Sequence, residues 1–228
     1  MNAPKLVVTV IGNTVVGRGI GTALRAAGHN VLSVADSVEH VQQADLVVLA
    51  MDSVELPAVV TAFTENNVWR PGQLVAHTCG EYGFGILSPA VSAGIVPMAI
   101  HPSMRFTETE ADEVAIRESY FAISAPEIAL PVAQALVIEM GAEPLEISEA
   151  NRKIYFEAWS VANDFSGLVV NQAIGLLEQI GVRDARGVIG PVVRASVEQA
   201  LADGHRSIDD IGSLADEEPR ENRGEAPF

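Results

Sequence analysis

The sequence predicts an α/β chain, a Rossmann-like, doubly wound and mainly parallel sheet followed by an all-helical C-terminal domain. Three observations carry this. Short apolar runs alternate with helical patterns over the first two thirds of the chain. The first run, LVVTVIG at residues 6–12, leads directly into a glycine-rich turn, GNTVVGRGIG. After Ser148 the strand punctuation stops and the pattern is helical throughout. A nearly continuous apolar run ending in Gly reads as a strand buried on both faces of a parallel sheet. Repeated βα units of this kind imply a doubly wound fold.

The elements follow in order. After the first strand, a helix is predicted over residues 16–27, closed by Gly28 in the left-handed position after its end. NVLSV is the second strand and DLVVLAM, residues 45–51, the third. The next helix starts in SVELPAVVTAFTENN, with Ser53 as its N-cap and Pro57 tolerated in the first turn. LVAH, IVPMAI, YFAIS and LEIS read as further strands. The helix between the last two starts near Pro126 and ends at Met140-Gly141. From residue 149, EANRKIYFEAWSVANDFSGLVVNQAIGLLEQIG reads as one long helix ending at Gly181. Its apolar positions, Ile154, Trp159, Phe165, Leu168, Val169 and Leu176, are too many for one surface helix. Such a helix is buried by other helices or by a second subunit. DARGVIGPVVRASVEQALADG supplies one or two more helices, and the polar DEEPRENRGEAPF reads as a disordered tail. The expected division is a Rossmann-like domain over 1–148, a helical domain over 149–215 and a tail over 216–228.

Composition narrows the function. The chain has 228 residues and a formal charge of -16, which disfavours nucleic acid and anionic membranes as partners. Its single cysteine, Cys79, permits neither an internal disulfide nor a thiolate zinc cage. MNAPKLVVTV lacks the pattern of a signal peptide, and no apolar run is long enough to span a membrane. A cytoplasmic location is expected.

The glycine turn has two registers. Gly12-Asn13-Thr14-Val15-Val16-Gly17 places Thr14 where the middle glycine of a dinucleotide turn belongs, and Gly17-Arg18-Gly19-Ile20-Gly21 has the wrong spacing. The strand before Gly12 and the AAGH after the turn select the first register. In it Gly12 makes the tight turn, Gly17 permits close helix packing, and Gly19 and Gly21 fall inside the helix. The Thr14 hydroxyl can donate to a phosphate, although its branched side chain tightens the approach. Asp36 stands near the end of the second strand, where an acidic residue binds ribose hydroxyls, but it equally suits a cap for the next short helix. Between NVLSV and DLVVLAM there is room for only one short helix, so the adenine side of the expected pocket is cut down.

The turn, ADLVVLAMDS, RPGQLVAHTCG, IVPMAIHPSMRF and the helix bearing YFEAWSVANDF occur together in this order. In this the chain resembles a bacterial family of Rossmann-like oxidoreductases with a helical C-terminal domain. That family lies in the 6-phosphogluconate dehydrogenase-like superfamily, with pyrroline-5-carboxylate reductase among its relatives. The resemblance covers residues 5–203. It implies an NAD- or NADP-binding first domain, a helical domain that forms a homodimer, and an active site between them. Gly12 and Gly17 match the family's turn and Thr14 departs from it. Met51, Asp52 and Ser53 match a loop that lies along the cofactor in relatives. His77, Thr78, Cys79 and Gly80 match a His-Thr-Ser-Gly motif, with Cys79 in place of Ser. His101 and Pro102 match a His-Pro pair, and Asn163 matches a cleft-facing Asn. The lysine that some relatives carry four residues before that Asn is replaced by Trp159.

The candidate site is therefore His77, His101 and Asn163 for catalysis, with Gly12, Asn13, Thr14, Val15, Val16, Gly17, Asp36, Met51 and Asp52 for the cofactor. Each histidine ends a strand, where α/β sheets bind ligands, and can work as acid or base near neutral pH. Each also reads as a structural hydrogen-bonder. No carboxylate spacing beside them suits a metal. Cys79 reads better as a small buried hydrophobe than as a nucleophile, and Arg105 is placed to hold a substrate carboxylate. Two functions stay open. One is an oxidoreductase moving hydride between nicotinamide and a small imine, keto or hydroxy compound. The other is a degenerate Rossmann dimer that binds another small ligand or a protein.

Overall fold

The structure is a computed structural model and describes residues 5–35 and 38–205. Seven strands form one sheet: β1 (Val7–Ile11), β2 (Asn30–Ala35), β3 (Leu46–Leu49), β4 (Leu74–His77), β5 (Val96–Pro102), β6 (Tyr120–Ser124) and β7 (Glu143–Glu146). Their order is β2-β1-β3-β4-β5-β6-β7, and every pairing is parallel except β5 with β6. The last strand begins two residues before the predicted LEIS segment, because Glu143 and Pro144 pair with Tyr120 and Phe121.

Burial follows the period-two alternation of strands. In β3, Leu46 and Val48 enter one core with α1 (Val15–Ala26) and α5 (Leu130–Met140). Val47 and Leu49 enter the opposite core with α2 (Leu56–Glu65) and α3 (Ser88–Val91). A strand serving two cores has no polar face, which is why LVVL shows no alternation in the sequence. α4 (Ala111–Arg117) adds Ile116 to the first core. β1 pairs with β2 on one side and β3 on the other, so β2 is the sheet edge and no strand among the described residues lies beyond it. The expected shortening on that side is present.

The helix termini differ in detail from the sequence reading. Ser53 does not cap α2: the helix starts at Leu56 with Glu55 at the N-cap position and no side-chain cap bond, and Asp52 holds the preceding turn, its carboxylate accepting the N–H groups of Val54 and Glu55, both at 2.9 Å. α5 starts at Leu130 after a turn in which Pro126 accepts from Ala129 and Leu130. It ends, as predicted, at left-handed Gly141.

The long C-terminal helix is not uniform. It divides into α6 (Arg152–Ser160), a π-helical turn over Val161–Phe165, and α7 (Ser166–Gln179), followed by α8 (Ala185–Asp203). The chain forms two compact units that divide between Ala162 and Asn163. The first runs beyond Ser148 because Arg152 of α6 is buried against the sheet. In the second, α7 packs on α8. There Phe165, Leu168, Val169, Leu176 and Ile180 are all more than half exposed. The residues of the proposed tail lie outside the described part of the chain. No helix among the described residues is long and apolar enough to cross a membrane.

Leu49 is fully buried in the second core. Leu49→Ala should lower the unfolding free energy by about 2–5 kcal/mol through lost transfer energy and the cavity left behind, read as a reduced urea midpoint at unchanged slope.

Candidate functional site

The turn after β1 is built at Gly12–Gly17. Gly12 has φ +113°, a region L side chains rarely adopt, and a Cβ there would overlap the Ala50 carbonyl at the end of β3. A Cβ on Gly17 would overlap the Gly12 carbonyl. Thr14 is the N-cap of α1: its Oγ1 accepts the Gly17 N–H at 3.0 Å and donates to the Ala50 carbonyl at 2.9 Å. The hydroxyl considered as a phosphate donor is therefore spent inside the protein. Gly19 and Gly21 act within the helix, admitting Phe106 and Val34 where a Cβ would stand.

The first intrahelical bond of α1 is Arg18 N–H to the Thr14 carbonyl at 2.9 Å. With Gly17 N–H on the Thr14 hydroxyl, the N–H groups of Val15 and Val16 have no partner among the described residues at the positive end of the helix. The first turn contains no acidic residue. Arg18 braces the loop, its Nη1 donating to the Asn13 carbonyl at 2.7 Å and to Oδ1 at 2.9 Å. Its Nε pairs with Glu108.

Gly12, Asn13 and Thr14 open onto a cavity of about 580 Å³, closed by Ile11, Val38, Met51, Glu55 and the α2 face Ala58, Val59 and Phe63. The structure thus brings Gly12, Asn13, Thr14 and Met51 to one pocket. Val15, Val16 and Gly17 stand at the helix start behind it. Asp52 is occupied with the turn before α2. Asp36 lies outside the described residues.

A second cluster lies at the ends of β4 and β5. His77 is completely buried, and its Nε2 lies 2.9 Å from the Gly83 carbonyl, to which it donates. Its Nδ1 has no partner among the described residues. Burial, aided by the Arg152 charge, pushes its pKa down to about 4, so it is neutral at physiological pH. His77 therefore fastens the loop after β4.

His101 is 7% exposed. Its Nδ1 lies 2.6 Å from the Tyr155 hydroxyl, which lies 2.6 Å from Ser103 Oγ. Tyr155, Phe156 and Trp159 of α6 meet its ring edge-on. Burial again lowers its pKa to about 4, followed by the charge of Arg152. Gly80 makes this possible, since a Cβ there would sit 2.5 Å from the Phe156 ring and 2.8 Å from His101 Nε2. Cys79 is 8% exposed, and burial raises its thiol pKa, as suits an inert core thiol.

Asn163 belongs to the second unit, where its amide donates to Asp164 at 2.6 Å. Arg105 is exposed. The arginine inside the molecule is Arg152, which with Tyr155 and Ser103 was not singled out in the sequence. The available signal was aromatic spacing: Tyr155 and Trp159, four residues apart, share one helix face. No group of His, Cys, Asp and Glu among the described residues is arranged to hold a metal ion.

Residues 33–102 match a Rossmann-like domain, and residues 119–208 match a domain of unknown function, DUF2520. The two matches follow one another along the chain. No curated protein matches it in sequence. Solved structures share the fold. A protein of Bacteroides fragilis described as a putative NADP oxidoreductase superposes with a TM-score of 0.70 at 17% identity, over 86% of this chain and 81% of that one. The 1-pyrroline-5-carboxylate reductase of Streptococcus pyogenes gives 0.65 at 15% identity, over 92% and 85%. The pyrroline carboxylate reductase of Plasmodium falciparum, with NADP bound, gives 0.62 at 14% identity, over 94% and 84%.

The two histidines tie stability to pH. Both have folded-state pKa values near 4, below the ordinary 6.5. Between these values the unfolded chain binds more protons, so stability is full above pH 6.5 and falls as pH drops towards 4. Each histidine contributes a loss of roughly 3 kcal/mol across that window. His101→Gln should flatten the decline in urea-derived stability between pH 7 and 5, a range above most carboxylate titration.

Proposed function

We propose that the chain is an NAD(P)-dependent oxidoreductase acting on a small imine, keto or hydroxy compound. The observation that carries this is the Gly12–Gly17 turn, whose residues Gly12, Asn13 and Thr14 line the 580 Å³ cavity at the N-terminus of α1. Helix N-termini of this kind bind phosphate. The residues present fit a dinucleotide: Gly12, Asn13 and Thr14 with the N–H groups of Val15 and Val16 would hold the pyrophosphate, and Met51 would lie against the rest. When bound, the nicotinamide supplies hydride transfer.

The protein's own part is positioning and proton handling. Neutral His101 shares a proton with the Tyr155 hydroxyl, and half-exposed Ser103 is the outer end of that hydrogen-bonded chain. A substrate oxygen or nitrogen at Ser103 can exchange a proton with the protein there. His77 serves by fixing the loop that carries Gly80.

A second reading, a Rossmann dimer without redox activity, is favoured by the lack, among the described residues, of a strand beyond β2 and by Glu55 in the cavity wall. Titration of NAD and of NADP with melting temperature as readout separates the two. Cofactor at a hundred times its dissociation constant should stabilise the fold by about 2.7 kcal/mol. No shift with either at millimolar concentration rules out the redox reading. Because the Thr14 side chain turns inward, Thr14→Ala should cost about 1 kcal/mol as a lost cap and leave cofactor affinity nearly unchanged.

The assembly proposed is a homodimer through α7 and α8. Leu168, Val169, Leu176, Val188 and Leu201 are each more than half exposed, more apolar surface than an isolated helix pair sustains. In sedimentation equilibrium the wild type should run as a dimer and Leu176→Arg as a monomer.

A further inference from the structure

Arg152 is among the most deeply sealed side chains in the molecule, 1% exposed. It opens α6 and lies across β5 and β6. Its Nε and Nη2 donate to Ser124 Oγ at 3.3 and 3.2 Å. Nη2 also donates to the carbonyls of Ala122 at 3.1 Å and Ala99 at 3.4 Å. Its Nη1 is buried and has no partner among the described residues. No carboxylate among those residues forms an ion pair with it. A buried guanidinium without a counter-charge is costly, and interiors normally supply one.

The carboxylate next in line is one bond removed. Ser124 donates to Glu149 Oε1 at 3.3 Å, and Gly85 N–H donates to Oε2 at 3.4 Å. Both bonds are long and Glu149 is exposed, so it is held loosely. It lies against Gly83, where a Cβ would overlap its carboxylate. The glycine-bearing loop therefore leaves space shaped for a carboxylate.

We infer that Ser124, the Gly85 N–H and Arg152 form a carboxylate-binding site in which Glu149 holds the place of a ligand's carboxylate, and that the ligand is a small carboxylic acid. The chemistry selects a carboxylate because the group already standing there is one, and because the Arg152 charge lies directly behind Ser124, the hydroxyl that donates to it. Taking that ligand as the substrate rests on the redox reading above; the binding itself does not.

The test uses acetate as the probe on the full chain, with acetamide and equimolar chloride as controls, followed by calorimetric titration and melting temperature. Glu149→Gln removes the internal anion while keeping its shape. It should bind acetate at least about tenfold more tightly than the wild type, with no matching gain for acetamide. Adding Ser124→Ala or Arg152→Lys to Glu149→Gln should reverse that gain, and the serine change keeps the test valid if the lysine variant fails to fold. Equal acetate affinity in wild type and Glu149→Gln overturns the inference. So does equal response to acetate and acetamide, or full affinity retained in the serine double variant. NADP and NAD titrated into Glu149→Gln separate this from the redox reading. Cofactor binding without acetate binding discards the carboxylate site alone, and acetate binding without either cofactor discards the redox reading alone.

Discussion

The close approach of the turn after β1 to the end of β3 sets the arrangement of the cofactor-side pocket. Gly12 faces the Ala50 carbonyl with no space for a side chain between them, and Thr14 bridges the same carbonyl to the first turn of α1. One hydroxyl thus fixes the helix start relative to two strands. The direction of α1 follows, and with it the N–H groups of its first turn and the wall of the cavity that Met51 and α2 complete. A methyl group at position 12 would push apart strands that are hydrogen-bonded along their length.

The second organising contact lies on the other half of the sheet. Arg152 ties the start of α6 to the backbone of β5 and β6 and to Ser124. Three residues later on the same helix, Tyr155 meets His101 and Ser103. Placement of the hydrogen-bonded chain is a consequence of where the guanidinium is anchored. Gly80 belongs to the same construction, since it lets Phe156 and His101 occupy the place of a side chain. The two histidines divide the work: His77 secures the loop, and His101 joins the polar chain.

Much of this was legible in the sequence. Apolar runs gave the strands, because a strand serving two cores has no polar face to interrupt it. Gly28 and Gly141 marked helix ends, because few other residues adopt the left-handed conformation. The register of the turn followed from the strand before it. What escaped was of two kinds. Asp52 holding the turn before α2, where a Ser53 cap was expected, depends on the reach of a side chain. The burial of Arg152 depends on the inner strands β5 and β6, more than twenty residues earlier in the chain, and a charged residue carries no local mark of being inside.

The sequence by itself determined the sheet, the glycine turn and the change to helix after residue 148, because each is written in local periodicity and in the backbone freedom of single residues. Only the tertiary structure decided which polar atoms meet. It turned the Thr14 hydroxyl inward, drew Tyr155 and Ser103 to His101, and left Arg152 buried with a bare nitrogen. These outcomes come from packing between segments far apart in the chain, where the cost of a buried polar atom is settled by its neighbours in space.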